Sequence, residues 1–291
     1  MRKLRNEYKK IILKYIPNLP QKTLRKKYIR EQVQKISSII LSENYLITEK
    51  IKFTKSKSIN PYSSSTEIDL LSVIHPHDNP LVNDIKNSFP KNKRVSLLNM
   101  QAEKDNGSFV ESIAAKGKYH YQFIVGYPED ILHICDLTDS ELENCYLQVF
   151  QHANRGEMTL CVAYREVAAK HNTQRFTLSG LSFFKLEPLE NIASLAGTLR
   201  YYGISVYIAS SKPKHYTLAS IRSAFPRSKT IYPYDIVKKT DISISRKIYS
   251  NVNKTKLHQL VDKLSKERPI TIVAQDKLDD IVSAIEYYHP N

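Results

Sequence analysis

The sequence predicts an α/β protein in which a second domain is inserted between two parts of the first. Apolar runs typical of buried parallel strands stand far apart in the chain, at 36–41, 203–208 and 270–274. Strand-like segments at 95–99, 109–114 and 119–125 lie between the first and second runs. From the residue pattern we therefore expect an α/β protein with an inserted domain.

Charge is concentrated at the start of the chain. The 291 residues carry a net charge of +15, and residues 1–35 hold 12 Lys and Arg against Glu7 and Glu31, which gives +10 there. Six apolar residues in this segment recur at helical spacing and predict a basic amphipathic helix: Leu4, Tyr8, Ile11, Ile12, Tyr15 and Ile16. Such a helix packs on its own domain, binds a protein partner or anionic membrane, or contacts nucleic acid.

Several protein classes are disfavoured by composition. No stretch approaches the roughly 20 apolar residues that span a bilayer, and no apolar secretory signal follows the charged start. Cys135, Cys145 and Cys161 are odd in number and lack metal-ligand spacing, so we expect free thiols in a reducing compartment. The prediction is an intracellular protein without a transmembrane segment, in the cytoplasm by preference, with an organelle left open.

Segments in the first half of the chain resemble the cytoplasmic domains of P-type ATPases. Ser42-Glu43-Asn44-Tyr45-Leu46 stands where that family has Asp-Lys-Thr-Gly-Thr, and 47–51 matches its Leu-Thr-x-Asn segment. Residues 66–71 are similar to the Thr-Glu-x-Ala-Leu helix of its nucleotide-binding domain. Residues 89–96 are similar to its Phe-Ser-x-x-Arg-Lys-x-Met-Ser run, whose Phe stacks on adenine in the family.

The second half continues the resemblance in the family's order. Residues 125–132 match Lys-Gly-Ala-Pro-Glu-x-Ile-Leu, and 153–166 resemble Ala-Asn-x-Gly-Leu-Arg-Thr-Leu-Cys-Val-Ala-Tyr-Arg-Glu of the lipid-flippase branch. Residues 187–189 stand for Asp-Pro-Leu and 210–212 for Thr-Gly-Asp. Two further segments complete the series: 253–257 resemble Pro-Glu-x-Lys, and 275–280 stand where Gly-Asp-Gly-Val-Asn-Asp belongs.

The resemblance implies a specific architecture. We expect a haloacid-dehalogenase-like, doubly wound parallel sheet with an inserted α+β antiparallel-sheet domain. Residues 33–59 and 176–291 would form the phosphorylation-like domain, and 60–175 the nucleotide-binding-like domain. Residues 1–32 would form the basic helical segment. The family's membrane helices and actuator domain have no counterpart in the printed sequence.

The residues that carry phosphoryl transfer in the family are largely replaced. Ser42 stands in place of the phosphorylated Asp, and Glu43 replaces the following Lys, so no catalytic residue is expected. Ser210 keeps a hydroxyl, whereas Lys212 replaces the acid of that segment. Three polar positions survive, namely Lys256, Asp276 and Asp280. The two aspartates could hold Mg²⁺ weakly, but they could equally cap a helix, and Lys256 could be merely solvated.

The nucleotide-contacting positions are also altered. The family's nucleotide-contacting Lys and Arg are here Val125 and Met158, while Glu67, Phe89 and Arg94 remain. Base stacking alone contributes about 1–3 kcal/mol, so ATP binding is expected to be weak or absent, and no resident cofactor is expected. Phe89 could also be an ordinary core residue.

These observations favour a catalytically inactive relative of P-type ATPases that acts as a binding protein, a scaffold or an accessory subunit of a larger complex. Its partner would be a protein complex bound through the basic N-terminal segment, or an anionic membrane surface. Three alternatives stay open. They are a weak nucleotide-binding regulatory module, an active haloacid-dehalogenase-like hydrolase or fragment of a lipid-transporting ATPase, and a basic nucleic-acid-associated protein.

Overall fold

The computed structural model contains two compact units. One comprises Met1–Leu46, Leu189–Lys214 and Lys239–Asn291, and the other Ile47–Pro188 and His215–Lys238. The structure describes these residues: 31, 33–58, 96–97, 109–116, 119–167, 175–226, 243–245, 248–267, 270–274 and 278–288. The predicted helical segment 1–32 therefore lies outside the described residues except for Glu31, as do 60–95 of the predicted nucleotide-binding-like domain.

The described elements are eleven strands and six α-helices. The strands are β1 (Ile36–Leu41), β2 (Ile47–Ser58), β3 (Ser96–Leu97), β4 (Phe109–Lys116), β5 (Tyr119–Gly126), β6 (Glu157–Glu166), β7 (Thr177–Pro188), β8 (Ser205–Ala209), β9 (Ser243–Ser245), β10 (Ile248–Tyr249) and β11 (Ile270–Val273). The helices are α1 (Pro128–Ile131), α2 (Asp139–Ala153), α3 (Ile192–Tyr201), α4 (Lys214–Ala224), α5 (Lys254–Glu267) and α6 (Leu278–Tyr288).

The first unit is built on a five-stranded sheet, so we call it the parallel-sheet unit. Its strand order is β11-β1-β8-β10-β9; the first four strands are parallel and β9 is antiparallel to β10. Five of the six residues of β1 are buried, as expected for a strand covered on both faces. Its buried Ser38 is satisfied by a 2.6 Å hydrogen bond between the Ser38 and Thr271 hydroxyls.

Helices cover this sheet. Leu260 and Leu264 of α5 pack with Ile40 and Tyr207 in one apolar cluster. Helix α3 packs against β8 and against α6. Parallel strands need such helical crossovers, because a short turn cannot return the chain to start a neighbouring strand in the same direction.

The second unit contains a six-stranded antiparallel sheet, so we call it the antiparallel-sheet unit. Its strand order is β2-β7-β6-β5-β4-β3. Alternate residues of its strands, among them Ile124, Cys161 and Phe183, pack against α1 and α2 in a buried apolar cluster. Helix α2 begins with a capping box, in which Thr138 and Glu141 each bind the other's backbone N–H.

All three cysteines are buried free thiols, as predicted. Burial, with a smaller contribution from neighbouring Cys145, raises the pKa of Cys135 to about 12. This thiol therefore stays protonated at neutral pH and behaves as a small apolar core residue.

The fold class is confirmed as α/β with a parallel sheet and a separate antiparallel sheet, which is consistent with the cytoplasmic domains expected from the resemblance. The division between the units differs from the predicted boundaries. Residues 47–58 and 177–188 were predicted in the phosphorylation-like domain, but β2 and β7 pair along their length in the antiparallel sheet. This antiparallel pairing, together with the pairing of β7 to β6, places both strands in the antiparallel sheet. Residues 215–238 also fall in the antiparallel-sheet unit.

No helix in the described part of the chain is both long enough and apolar enough to cross a membrane.

Candidate functional site

The carboxyl ends of β1 and β8 bring together five polar residues of the parallel-sheet unit. Ser42 and Glu43 follow β1, and 210–212 follow β8. Because β1 and β8 are parallel neighbours, these two exits meet at the same edge of the sheet. We call Ser42, Glu43, Ser210, Ser211 and Lys212 the strand-end site.

Glu43 is held inside this site. Residues Glu43–Tyr45 form a single 3₁₀ turn that starts from Ser42, whose backbone is extended and whose hydroxyl caps no N–H. The side chain of Glu43 is buried, with the residue 6% exposed. Its carboxylate accepts a 2.8 Å hydrogen bond from the hydroxyl of Ser211. This bond joins the turn after β1 to the loop after β8.

The loop after β8 is fixed by the loop after β10. Ser210 is fully buried; its N–H donates to the Tyr249 carbonyl at 3.0 Å, and its carbonyl accepts from Val252 at 2.9 Å. Its hydroxyl accepts a 3.0 Å hydrogen bond from the N–H of Lys212. The N–H of Asn251, a residue with a left-handed backbone, donates to the Lys212 carbonyl at 3.1 Å. The site is therefore a rigid pair of bonded loops.

Lys256 lies beside the second of these loops. Asn253 caps α5, because its side-chain oxygen accepts a 2.9 Å hydrogen bond from the N–H of Lys256. The ammonium group of Lys256 donates to the Asn251 carbonyl at 3.4 Å. Asn251 therefore links the two lysines, since its carbonyl accepts from the Lys256 ammonium and its N–H donates to the Lys212 carbonyl.

The predicted cation ligands are only partly described. Asp276 lies outside the described residues, whereas Asp279 and Asp280 are exposed in the first turn of α6. Carboxylates there interact favourably with the helix dipole, which agrees with the capping alternative. Among the residues that the structure describes, no three His, Cys, Asp or Glu side chains are grouped closely enough to hold a metal ion.

A cleft of about 390 Å³ lies in the same unit. It is lined by residues from the turn after β1, from α3 and the segment before it, and from α6: Asn44, Tyr45, Leu189, Glu190, Ile192, Leu195, Leu278 and Asp279. Its walls are mainly apolar, and among the described lining residues the charged groups are the carboxylates of Glu190 and Asp279. Because carboxylates repel an anion, this lining does not suit a phosphate group.

Two positions that the resemblance marks as nucleotide-contacting, Val125 and Met158, are described in the antiparallel-sheet unit, and both are apolar core. Val125 of β5 is 6% exposed and Met158 of β6 is fully buried. Glu67, Phe89 and Arg94 lie outside the described residues. The sheet therefore offers neither a polar side chain nor open space at Val125 and Met158.

A buried ion pair in this unit was not predicted. His215 of α4 is 1% exposed, and its Nδ1 lies 2.7 Å from a carboxylate oxygen of Glu129. Its Nε2 donates to the Thr159 carbonyl at 3.1 Å, because a carbonyl can only accept. His215 therefore contacts both Glu129 and Thr159 through its two ring nitrogens.

The same pair perturbs the carboxyl group. Burial by itself raises the pKa of Glu129. The charge of His215 and hydrogen bonds to the carboxylate together have the larger effect, so the pKa of Glu129 is lowered overall. The two residues are 86 positions apart, so neither spacing nor periodicity could have paired them. In the sequence, Glu129 was singled out only as part of the segment 125–132 that resembles the family's Pro-Glu motif.

Comparisons with known proteins give only structural neighbours. No protein-family model and no curated protein matches the sequence. The chain is similar to a solved zinc-transporting PIB-type ATPase in its E2.Pi state, with a TM-score of 0.47 and 12% sequence identity. It is also similar to a second solved structure of a zinc-transporting PIB-type ATPase, in a different state, with a TM-score of 0.45 and 11% identity.

Each of these alignments covers 87% of this chain and 35% of the solved chain. The chain therefore spans about a third of the length of those proteins. A likeness at this level concerns the arrangement of elements and carries no argument about the residues of the site.

Proposed function

We propose that this chain is a catalytically inactive relative of the P-type ATPases that serves as a binding or accessory subunit of a larger complex. The observation that carries the proposal is the buried Glu43 carboxylate, hydrogen-bonded to Ser211 at the edge of the parallel sheet. It stands directly after Ser42, which has no carboxylate to accept a phosphoryl group.

Electrostatics argues against phosphoryl transfer at this edge. Catalysis of that reaction depends on cations that stabilise the charge developing on the transferred group. Two like unit charges at about 4 Å repel by about 4 kcal/mol at an effective dielectric constant of 20. A carboxylate held beside Ser42 would therefore disfavour an incoming phosphate by an amount worth roughly three orders of magnitude in binding.

The antiparallel-sheet unit supports the same proposal. Val125 and Met158 are buried apolar side chains, and a nucleotide phosphate needs charged or polar donors. Filling such positions with core residues stabilises the sheet by about 1.5–3 kcal/mol for each fully buried side chain. We infer that this unit is retained for its surface and its stability rather than for ATP.

Incubation of the full chain with labelled ATP and Mg²⁺ tests the inactivity. We expect no acid-stable phosphoprotein and no phosphate release above background. Magnesium-dependent turnover that disappears in Asp276→Ala but persists in the matched variant Asp262→Ala would support a hydrolase instead. Asp262 is a suitable control because it is exposed on α5.

The partner is proposed to bind through residues 1–35, which hold +10 of the net +15 charge. A variant lacking residues 1–30 should keep the cooperative unfolding transition of the full chain, because β1 begins at Ile36. It should lose co-purification with the protein complex.

The membrane alternative is tested with the same pair of proteins on anionic and neutral vesicles. If the full chain sediments with anionic but not with neutral vesicles, and salt weakens this binding, the partner is a membrane surface and not a protein complex. An insoluble or unfolded truncated protein would show that the segment is part of the core, and the docking proposal would fail.

A further inference from the structure

One stretch of the antiparallel-sheet unit is acidic, although the chain as a whole is basic. Residues 119–154 contain six Asp and Glu and no Lys or Arg, which gives a net charge of −6 there and leaves +21 for the remaining residues. This stretch begins with β5 and ends just after α2, so it forms one connected part of the unit. A local reversal of charge of this size produces a negative potential that attracts cationic groups.

Most of the carboxylates in this stretch face solvent. Five of the six are exposed: Asp130, Asp136, Asp139, Glu141 and Glu143. The sixth, Glu129, is partly buried beside His215. Hydrogen bonds from Thr138 lower the pKa of the Glu141 carboxyl, so this group stays ionised well below neutral pH. The exposed carboxylates therefore lie where a partner can reach them.

Exposed apolar side chains lie in the same stretch. Among the described residues of this unit, the exposed large apolar side chains are Ile134 and Leu147, at 39% and 43%. The Tyr146 hydroxyl lies 3.1 Å from Nε2 of His133, which brings the chain next to Ile134 into contact with the chain next to Leu147. Leu147 also lies beside Glu143, because residues four positions apart are neighbours on a helix surface. Carboxylates and apolar side chains therefore share one surface.

We call these five residues the acidic surface: Ile134, Asp136, Asp139, Glu143 and Leu147. The negative charge of this stretch also acts on a neighbouring side chain. Burial raises the pKa of Tyr146, and neighbouring anionic groups, Glu129 and Asp130 among them, raise it further. Carboxylates that disfavour a second anion at this position favour a cation there.

The combination of carboxylates and apolar side chains selects the kind of partner. Nucleic acid and anionic lipid carry dense negative charge, so this surface repels both. A metal ion or a simple polyamine would leave Ile134 and Leu147 uncovered. A protein segment with Lys or Arg beside apolar side chains can pair with the carboxylates and cover the apolar groups together. Charge complementarity therefore favours a basic amphipathic segment.

We propose that the acidic surface binds a basic amphipathic segment of a partner protein. Ile134 and Leu147 anchor the apolar side chains of that segment, and the three carboxylates pair with its Lys or Arg side chains. This inference goes beyond the proposed function, because it adds a second contact surface on a different unit from residues 1–35. The two can therefore fail independently.

Titration of the full chain with a labelled synthetic peptide, followed by fluorescence anisotropy, tests the proposal. The probe is a Leu/Lys peptide of about 18 residues whose Leu recur at helical spacing. A peptide of the same composition with its Leu scattered around the helix is the control. We expect saturable binding of the amphipathic peptide, which salt weakens, and at least about tenfold weaker binding of the scattered one.

Variants of the full chain locate the binding. Glu143→Gln should weaken peptide binding about threefold, because one exposed ion pair contributes little. Leu147→Ser removes an apolar anchor and should weaken the binding about fivefold, and the double variant should weaken it at least about tenfold. Both positions are exposed on α2, so urea unfolding should show that these variants stay folded.

Two matched controls should bind the peptide as the wild type does. Glu187→Gln removes an exposed carboxylate at the far end of β7 from Phe176, whose carbonyl accepts from the N–H of Asp136. Tyr201→Ser removes an aromatic side chain that is 72% exposed in the parallel-sheet unit. Losses of equal size in these controls would show a nonspecific effect of charge or apolar area and overturn the proposal.

Other results would also overturn it. Absence of saturable binding by the wild type, or equal binding by the wild type and the double variant, would show that the acidic surface does not hold the peptide. Binding that appears only when residues 1–30 are deleted would show that the chain's own basic segment occupies the surface in place of a partner. Binding of anionic vesicles or duplex DNA that is lost in the double variant would show a different class of partner.

Discussion

The two sheets differ in what stands at the positions that the P-type ATPase resemblance marks as functional. In the parallel-sheet unit these positions are still polar, and Glu43 and Ser211 bond to each other at the sheet edge. In the antiparallel-sheet unit the corresponding positions, Val125 and Met158, are buried core. One region is polar at the marked positions, and the other is packed with apolar side chains.

The difference teaches that the two regions are constrained in different ways. A loop at the end of parallel strands must satisfy its own backbone groups, and serines and an asparagine do so there. A position inside a sheet has its backbone groups paired in the ladder, and an apolar side chain stabilises it. The following variants test this comparison, from the largest expected effect to the smallest.

Met158→Arg should be the most damaging of these changes. It introduces an unpaired charge at a fully buried position, and we expect a loss of about 4 kcal/mol or more in the free energy of unfolding. The measurement is urea unfolding followed by tyrosine fluorescence, since the chain has 19 Tyr and no Trp. Met158→Leu, which conserves volume, should cost less than about 1.5 kcal/mol. A well-folded Arg variant that binds ATP would show that the position is a dormant nucleotide contact.

His215→Gln should break the buried ion pair at neutral pH. The charge on Glu129 would lose its partner, and because that side chain is 29% exposed we expect a cost of about 2–3 kcal/mol, below the cost for a fully buried pair. The measurement is urea unfolding at neutral pH, with His258→Gln as a control that removes an exposed histidine of α5 in the parallel-sheet unit. An unchanged free energy of unfolding would show that the pair contributes nothing.

The contact between Glu129 and His215 also predicts that the free energy of unfolding depends on pH. The pKa of Glu129 is lowered in the folded chain, so its contribution is complete above the pKa of an unfolded glutamate, near 4.3, and is lost as the pH falls through its lowered pKa. The stability difference between the wild type and His215→Gln should therefore shrink below about pH 4. A difference that stays constant from neutral to acidic pH would contradict the ion pair.

Gly156→Ala should have a smaller effect. Gly156 has a φ of 79°, and a Cβ there would lie 3.2 Å from the backbone nitrogen of Ser223 in the same unit. We expect a loss of about 2 kcal/mol in the free energy of unfolding, because of the left-handed backbone and the close contact.

Gly197→Ala is the matched variant in the parallel-sheet unit. Apart from the adjoining helix backbone, no atom of the described residues lies within 4 Å of the added Cβ inside α3, so it should stabilise by about 0.5–1 kcal/mol. If both glycine variants changed the free energy of unfolding in the same direction, the argument from backbone conformation would be wrong.

The sequence by itself determined the α/β class and most element positions. The apolar run at 36–41, the helical pattern at 140–151 and the strand at 270–274 correspond to β1, α2 and β11 within a few residues. The resemblance to the family's motifs also placed Ser42 and Ser210 after strands, and the structure has them there. These features depend on neighbours in sequence, so periodicity is sufficient to predict them.

The tertiary structure alone decided which strands share a sheet and which polar groups meet. Strands β2 and β7 have apolar residues that suit either sheet, and only their pairing over most of their length assigns them to the antiparallel one. The Glu43–Ser211 bond and the Glu129–His215 pair join residues 168 and 86 positions apart. Such partners are fixed by the packing of distant elements, and local sequence records the charge of each residue but not the group that will face it.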